Sequence, residues 1–193
     1  SLPVTVTLGF SGTATATSDY THSATQIVIP AGQLVASITV NAVQDALDEL
    51  NETVIVDIIG VTNGTELGIQ QLSTLILDDD AAPTVTLSVN NATIAEAVGT
   101  TMFTATLSAV SGQAVTVLLA YSGTAIVTSD YTRSNTQIVI PAGQLNASIT
   151  ITAVQDALDE LNETVIVDIT GVTNGLELGI QQRITTILDD DPA

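Results

Sequence analysis

The 193-residue chain has no cysteine, no tryptophan and no lysine. Without cysteine there is no disulfide to staple a small fold and no thiolate to hold a metal. Without lysine there can be no Lys–Asn isopeptide staple, a device some bacterial surface domains use instead. Arg133 and Arg183 are the only fixed cations, set against 21 Asp and Glu, and the formal net charge is −19. Such a surface repels polyanions, so anionic lipid is a poor partner and no nucleic-acid partner is expected. It attracts cations. No apolar run approaches the ~18 residues of a membrane span, so no membrane insertion is expected. No signal peptide opens the chain. Its first residues, SLPVTVTLGF, already alternate as a strand does, and the sequence reads as a portion of something longer. High acidity with almost no basic residues suits a secreted or cell-surface protein in a salty medium.

What is present is repetition. Residues 3–80 return at 114–191 with a constant offset of 111, and AVQDALDELNETVIVDI at 42–58 recurs unchanged at 153–169. The two halves are about four-fifths identical. A period near 110 residues is the size of a whole small domain rather than of a solenoid unit. Two domains are expected, 1–81 and 82–193. Apolar residues make up 45% of the chain, mostly β-branched or small, while aromatics are 3%. That composition favours strands.

The apolar pattern has period two almost throughout. In the downstream repeat it marks strands at Thr84–Val89, Thr101–Ser108, Ala114–Tyr121, Gln137–Ile140, Asn146–Val154, Thr164–Gly171 and Gln182–Leu188, with a short Thr93–Ala97 segment after the first. Turn signals fall at Ser111-Gly112, Pro141-Ala142-Gly143 and Asn174-Gly175. Seven strands at this spacing predict an antiparallel β-sandwich. In DALDELNE the acids Asp156, Asp159, Glu160 and Glu163 have helical spacing. Four acids on one helical face would repel, so a loop with at most one helical turn is expected there.

The upstream repeat lacks a front, because nothing in the chain precedes residue 1 to match 82–111. Its sandwich is therefore expected to lack its first two strands and to expose an apolar face and unpaired edges. The gap would be left open, filled by a neighbouring molecule, or filled by 82–111 of its own chain. A strand-swapped homo-association is one possibility.

The best-kept segments are acidic. In the downstream repeat they are Glu96, Asp130, the group Asp156 to Glu163, and Asp189-Asp190-Asp191. Loops two strands apart fall at the same end of a sandwich, so these carboxylates are expected to converge. Two unit charges ~4 Å apart repel by about 1 kcal/mol in water and roughly 4 at an effective dielectric of 20. Several such pairs would rival the ~5–15 kcal/mol stability of a domain, and a divalent cation reverses the sign. Oxygen-only donors on flexible loops suit Ca²⁺ better than Mg²⁺, which demands tighter octahedral geometry. Zn²⁺ is disfavoured without cysteine, since the lone His22 becomes Arg133 in the other repeat.

The order Glu96, SDYT, IPAG, D-x-x-x-E-x-x-E-T, ILDDD resembles the Calx-β domain, found in sodium–calcium exchangers, integrin β4 and large bacterial surface proteins. The resemblance covers all of the downstream repeat and the later two-thirds of the upstream one. It implies seven-stranded immunoglobulin-like sandwiches in tandem that bind Ca²⁺ in loops at one end. The ligands it implies are Glu96, Asp130, Asp156, Glu160, Glu163, Asp189, Asp190 and Asp191. Those of the upstream repeat are Asp19, Asp45, Glu49, Glu52, Asp78, Asp79 and Asp80. The chain departs from the family's strong sensors at Gln155-Asp156-Ala157 and Gln44-Asp45-Ala46, where a run of acids is expected, so one or two ions per repeat are expected. The upstream repeat also lacks a counterpart of Glu96.

Other signals are weaker. Asn51, Asn63, Asn91, Asn146 and Asn162 begin glycosylation sequons that arise readily by chance in a Thr-rich chain. Tyr20 and Tyr131 read as packing residues that anchor the loop carrying Asp19 or Asp130. His22 has no nucleophile or orienting partner, and the carboxylate pairs have no aromatic sugar platform. An enzyme is not expected. Near-copy repeats joined by the short linker Asp80-Ala81-Ala82-Pro83 fit a Ca²⁺-stiffened spacer in a large extracellular surface or adhesion protein, with neighbouring repeats as its partners. A Ca²⁺-dependent adhesive module for glycan or protein, or a regulatory sensor, are the alternatives. Sensing wants denser acids, and adhesion wants repeats whose exposed loops differ.

Overall fold

The computed structural model describes residues 2–192. By internal contacts one compact unit comprises Ser1–Ala46 and Leu50–Asp79, and the other Leu47–Glu49 and Asp80–Ala193. The first repeat contributes β1 (Val4–Gly12), β2 (Tyr20–His22), β3 (Gln26–Ile29), β4 (Val40–Ala42), β5 (Glu52–Thr62) and β6 (Gln71–Ile76). The second contributes β7 (Thr84–Val89), β8 (Thr93–Ala95), β9 (Thr100–Leu107), β10 (Val115–Gly123), β11 (Tyr131–Arg133) and β12 (Gln137–Ile140). It continues through β13 (Asn146–Ala153), β14 (Glu163–Thr173), β15 (Leu176–Glu177) and β16 (Gln182–Leu188).

The second repeat is a sandwich of two five-stranded sheets, ordered β12-β10-β14-β16-β8 and β11-β13-β9-β7-β15. All seven expected strands are present. Three short ones extend the sheets: β11 directly after Asp130, β8 within the Thr93–Ala97 segment, and β15 after the Asn174 turn. Pairing is antiparallel except at two edges, where β15 runs parallel to β7 and β8 parallel to β16. The chain thus passes from one sheet to the other between β7 and β8. Residues 154–162 form a loop without a helical turn, as the like-charge spacing predicts.

Alternate residues of each strand face inward. Val85 and Leu87 from β7, Phe103 and Ala105 from β9, and Ile149 and Ile151 from β13 meet Val115 and Val117 from β10 and Val165 and Val167 from β14 in one buried cluster. The bend of the long central strands is shared by both repeats. The register of β10 on β14 slips between Leu118 and Leu119, and that of β1 on β5 slips between Thr7 and Leu8. Gly123 ends β10 at φ +122°, where an added Cβ would meet the Thr164 carbonyl oxygen at 2.1 Å; Gly12 repeats this at φ +120° against Thr53. Only glycine fits there.

In the first repeat one four-stranded sheet, β3-β1-β5-β6, is formed, and β2 pairs with β4 alone. β4 has three residues where its counterpart β13 has eight. The cause is the missing partner. β13 pairs with β9 over Asn146–Thr152, the first repeat has no such neighbour, and only the stretch paired to β2 remains a strand.

Phe103 is fully buried, whereas Leu72 is 79% exposed. Phe103→Ala is expected to destabilise the second repeat by about 3–5 kcal/mol, and Leu72→Ala to change stability by less than about 0.5 kcal/mol. Urea unfolding of the two variants measures both.

Candidate metal centre

Backbone N–H groups hold the carboxylates of Glu96, Asp130, Asp156 and Asp189 in the second repeat. Glu96 follows β8, whose parallel pairing to β16 is extended by the Glu96 N–H donating to the Leu188 carbonyl at 3.0 Å. Val98 (φ 53°) and Gly99 then turn the chain into β9, and a Cβ on Gly99 would lie 2.3 Å from the Ala95 oxygen. Glu96 is 6% exposed and accepts the Asp156 N–H at 3.1 Å. Asp130 lies in the loop before β11. Its N–H donates to the Ile126 carbonyl at 2.9 Å, and its carboxylate accepts the Ile126 N–H in return. The next residue, Tyr131, is buried in the core, so it anchors this loop as expected. Tyr20 is likewise buried beside Asp19.

The long acidic loop and the chain after β16 are tied together. The Glu160 N–H donates to Asp189 Oδ1 at 3.3 Å, and the Asp189 N–H to Asn162 Oδ1 at 3.1 Å. Gln155 Nε2 donates to the Asp156 carbonyl at 2.9 Å and to Asp191 Oδ2 at 3.3 Å. As a result Glu96, Asp190 and Asp191 bring carboxylate oxygens within 4.8 Å of one another, and so do Asp130, Glu160 and Glu163. Asp156 and Asp189 lie with Glu96, Asp130, Glu160 and Glu163 around a cavity of about 10 Å³, lined also by Val154, Leu161 and Ile187. That is room for about one water-sized sphere. All eight acids singled out in this repeat therefore converge.

In the first repeat Asp19 and Glu52 approach within 4.8 Å, and the Asp19 carboxylate accepts the Thr15 N–H as Asp130 does for Ile126. Gln44 Nε2 donates to the Asp45 carbonyl at 3.2 Å and to Asp79 Oδ1 at 3.1 Å, and the Asp78 N–H to Asn51 Oδ1 at 2.9 Å. The bonds to the Asp45 carbonyl and from the Asp78 N–H repeat those of Gln155 and Asn162, whereas Gln44 reaches the counterpart of Asp190 and Gln155 reaches Asp191. Glu49 and Asp80 fall in the parts of the chain that group with the second unit.

Sequence reasoning missed the role of these neutral amides. Asn162 and Asn51 appeared only as sequon positions, and Gln155 and Gln44 only as places where an acid was absent. The available signal was their recurrence inside the best-kept acidic segment. Other residues take ordinary packing roles. Arg133 lies 4.3 Å above the Tyr121 ring, Arg183 donates to the Gln182 carbonyl, and His22 stacks on Phe10 with centroids 4.3 Å apart.

Crowding shows in the titration of the acids. Glu163 is pushed up to about 7 by desolvation, by its hydrogen bond with Asp130, and by the charges of Asp130, Glu160 and Glu96. Glu160 is raised by desolvation and by Asp156, Asp130 and Asp189, and Asp191 by desolvation and by its acidic neighbours. For Glu96 the Asp156 N–H lowers the value, but burial and the charges of Asp156, Asp191 and Asp189 outweigh it. All four shifts mean that the folded protein resists holding this much negative charge. The donors are carboxylate oxygens, which suit a hard divalent cation.

A Calx-beta domain model matches the chain twice, over residues 3–77 and 78–191. The chain belongs to the Calx-beta domain family. Among solved structures, the apo form of the Calx CBD1 domain is 18% identical with a TM-score of 0.51, covering 57% of this chain and all of that one. CBD12 from CALX1.2 is 19% identical over 89% of this chain and 68% of that one, with a TM-score of 0.36. The calcium binding domain CBD12 of CALX1.1 is 12% identical over 98% and 88%, with a TM-score of 0.38. This chain is thus a tandem of Calx-beta domains, the first shorter than the second.

The raised acids set a pH dependence. A carboxyl whose pKa is higher in the folded state binds its proton more readily when folded, so stability falls as pH rises between the unfolded and folded values. For Glu163 that window runs from the ordinary 4.5 to about 7. In EDTA the second repeat should melt at a higher temperature at pH 5 than at pH 8, and Glu163→Gln should flatten much of that slope. Thermal melts across this pH range test both.

Proposed function

We propose that both domains bind Ca²⁺ and that the pair is a structural spacer within a longer extracellular surface or adhesion protein. The observation that carries this is the convergence of eight carboxylates in the second repeat, four of them accepting backbone N–H groups, with Arg133 and Arg183 both engaged elsewhere. In the second repeat one ion would be held by Glu96, Asp190 and Asp191 and another by Asp130, Glu160 and Glu163, with Asp156 and Asp189 between them. In the first repeat Asp19, Asp45, Glu49, Glu52, Asp78, Asp79 and Asp80 would serve.

Ca²⁺ removes the repulsion that raises Glu163, Glu160, Asp191 and Glu96. It orders the acidic loops and, through Asp78–Asp80 beside the linker, stiffens the connection between domains. The role is one of binding and support rather than catalysis. Near-identity of the exposed loops in the two repeats favours a spacer over a recognition surface, because recognition would profit from loops that differ. Further repeats of the same protein are the expected neighbours.

Calorimetric titration with Ca²⁺, together with melting in EDTA and in ~5 mM Ca²⁺, tests the reading at a concentration above the ~10⁻⁴–10⁻³ M affinities of extracellular sites. At about 50 times its Kd a single ion adds about 2.3 kcal/mol, or roughly 10 °C or more for a domain of this size. Glu160→Gln, an exposed substitution, should weaken binding by about tenfold or more, since affinity follows ligand charge, while leaving the EDTA melt unharmed. No heat and no shift would reduce the acidic loops to solvated ends.

A further inference from the structure

Among the described residues two acids are buried, Glu96 at 6% and Asp48 at 8% exposure. Glu96 belongs to the acidic end of the second repeat. Asp48 has no role so far, and with Leu47 and Glu49 it groups with the second unit. Its copy 111 positions on, Asp159, is exposed, although 42–58 and 153–169 are identical in sequence. The local sequence therefore does not bury Asp48; its surroundings do.

Those surroundings are a turn of the second unit. Asp48 and Ser111 form a parallel backbone bridge, and the Gly112 N–H donates to the Asp48 carbonyl at 2.9 Å. Ser111 is 1% exposed. Its hydroxyl donates to Asp48 Oδ2 at 2.8 Å and lies 3.2 Å from the Asp48 carbonyl oxygen. The same hydroxyl oxygen accepts the Gln113 N–H at 3.0 Å, and the Ser111 carbonyl accepts the Gly143 N–H at 2.9 Å. The serine is thus fixed by its own unit where it meets the carboxylate. Gly112 permits the close approach, since an added Cβ would lie 2.7 Å from Glu49 Cγ.

We propose that residues 111–113 form a recognition turn for an extended Asp-Glu segment, and that Asp48 is its anchor rather than a cation ligand. The turn offers a hydroxyl to the carboxylate and an N–H to the carbonyl, a two-point grip on one residue. A hydrogen bond to an ionised acceptor is stronger than one between neutral groups. Removing the serine hydroxyl would also leave a buried charge short of a partner, which costs more than the bond itself contributes. Asp45 and Glu52 flank the anchor in sequence, so the acidic loop that carries them is held at its middle with or without Ca²⁺.

The test uses the whole chain in EDTA, which keeps it apart from the Ca²⁺ reading. Asp48→Ala is expected to speed amide exchange at Gly112 by about tenfold or more, as loss of a charge-assisted hydrogen bond implies. Asp159→Ala, in the identical segment, should leave Gly112 unchanged. Ser111→Ala should act at Gly112 as Asp48→Ala does, and the double variant should be no worse than either, because both remove one contact. Asp48→Asn keeps the shape and should speed exchange by less, which serves if the alanine variant misfolds. Ca²⁺ titration of Asp48→Ala should count the same number of ions as the unaltered chain. Unchanged exchange at Gly112 in both Asp48 variants would overturn the proposal. So would additive effects of the two alanine substitutions, or the loss of a bound ion.

Discussion

The structure depends on one constraint: a β-sheet with an apolar face must be covered. In the second repeat the cover is the β9–β13 sheet, and everything else is arranged by it. Pairing with β9 keeps β13 extended for eight residues, which delivers the acidic loop to the end of the sandwich where β16 also finishes. Passage of the chain from β7 in one sheet to β8 in the other brings Glu96 against the same end. In the first repeat β13's counterpart shrinks to β4, and the valines and isoleucines of β1, β3 and β5 stay partly open. Core and site are therefore coupled through strand pairing, although no apolar core residue is a candidate ligand.

The acidic end shows how a fold can hold charges that repel. Backbone N–H groups of Asp156, Ile126 and Glu160 point at carboxylates, and the amides of Gln155 and Asn162 tie the long loop to the segment after β16. These donors are neutral and fixed, so they position the oxygens without cancelling their charge. The upward shifts of Glu163, Glu160, Asp191 and Glu96 are the remainder of that unbalanced charge. Placing a lysine in the cluster would relieve it permanently. The chain has none, which leaves relief to a soluble cation.

Much of this was legible in the sequence because period two and repetition are strong signals. The seven main strands of the second repeat, the loop at 154–162 and the convergence of eight acids all follow from alternation and strand direction. β8 falls within the short Thr93–Ala97 segment that the pattern marks, but β15 and the parallel pairing of both were not legible. β8 and β15 span three and two residues, too few to carry a period, and they exist because a longer neighbour offers a free edge. β11 was hidden because Ser129-Asp130-Tyr131 reads as turn chemistry while Tyr131 is drawn inward by the core. The roles of Gln155 and Asn162 were invisible for another reason: a neutral amide announces no charge, and its partners lie about 30 residues away.

The edge pairing of β8 with β16 has a mechanical consequence. A pull applied along the chain enters the second repeat at Thr84 and leaves after Leu188. It draws β16 forward at its end and β8 backward through β7. These strands run parallel, with Thr93, Ile94 and Ala95 opposite Thr186, Ile187 and Leu188. The Thr186 N–H bonds the Ala92 carbonyl at 2.9 Å, and the Glu96 N–H bonds the Leu188 carbonyl at 3.0 Å. Force along the strands shears these bonds together instead of opening them one after another as a zipper. The three-residue edge is therefore a clasp that tension loads in shear, and it lies between Glu96 and Asp189 of the acidic end.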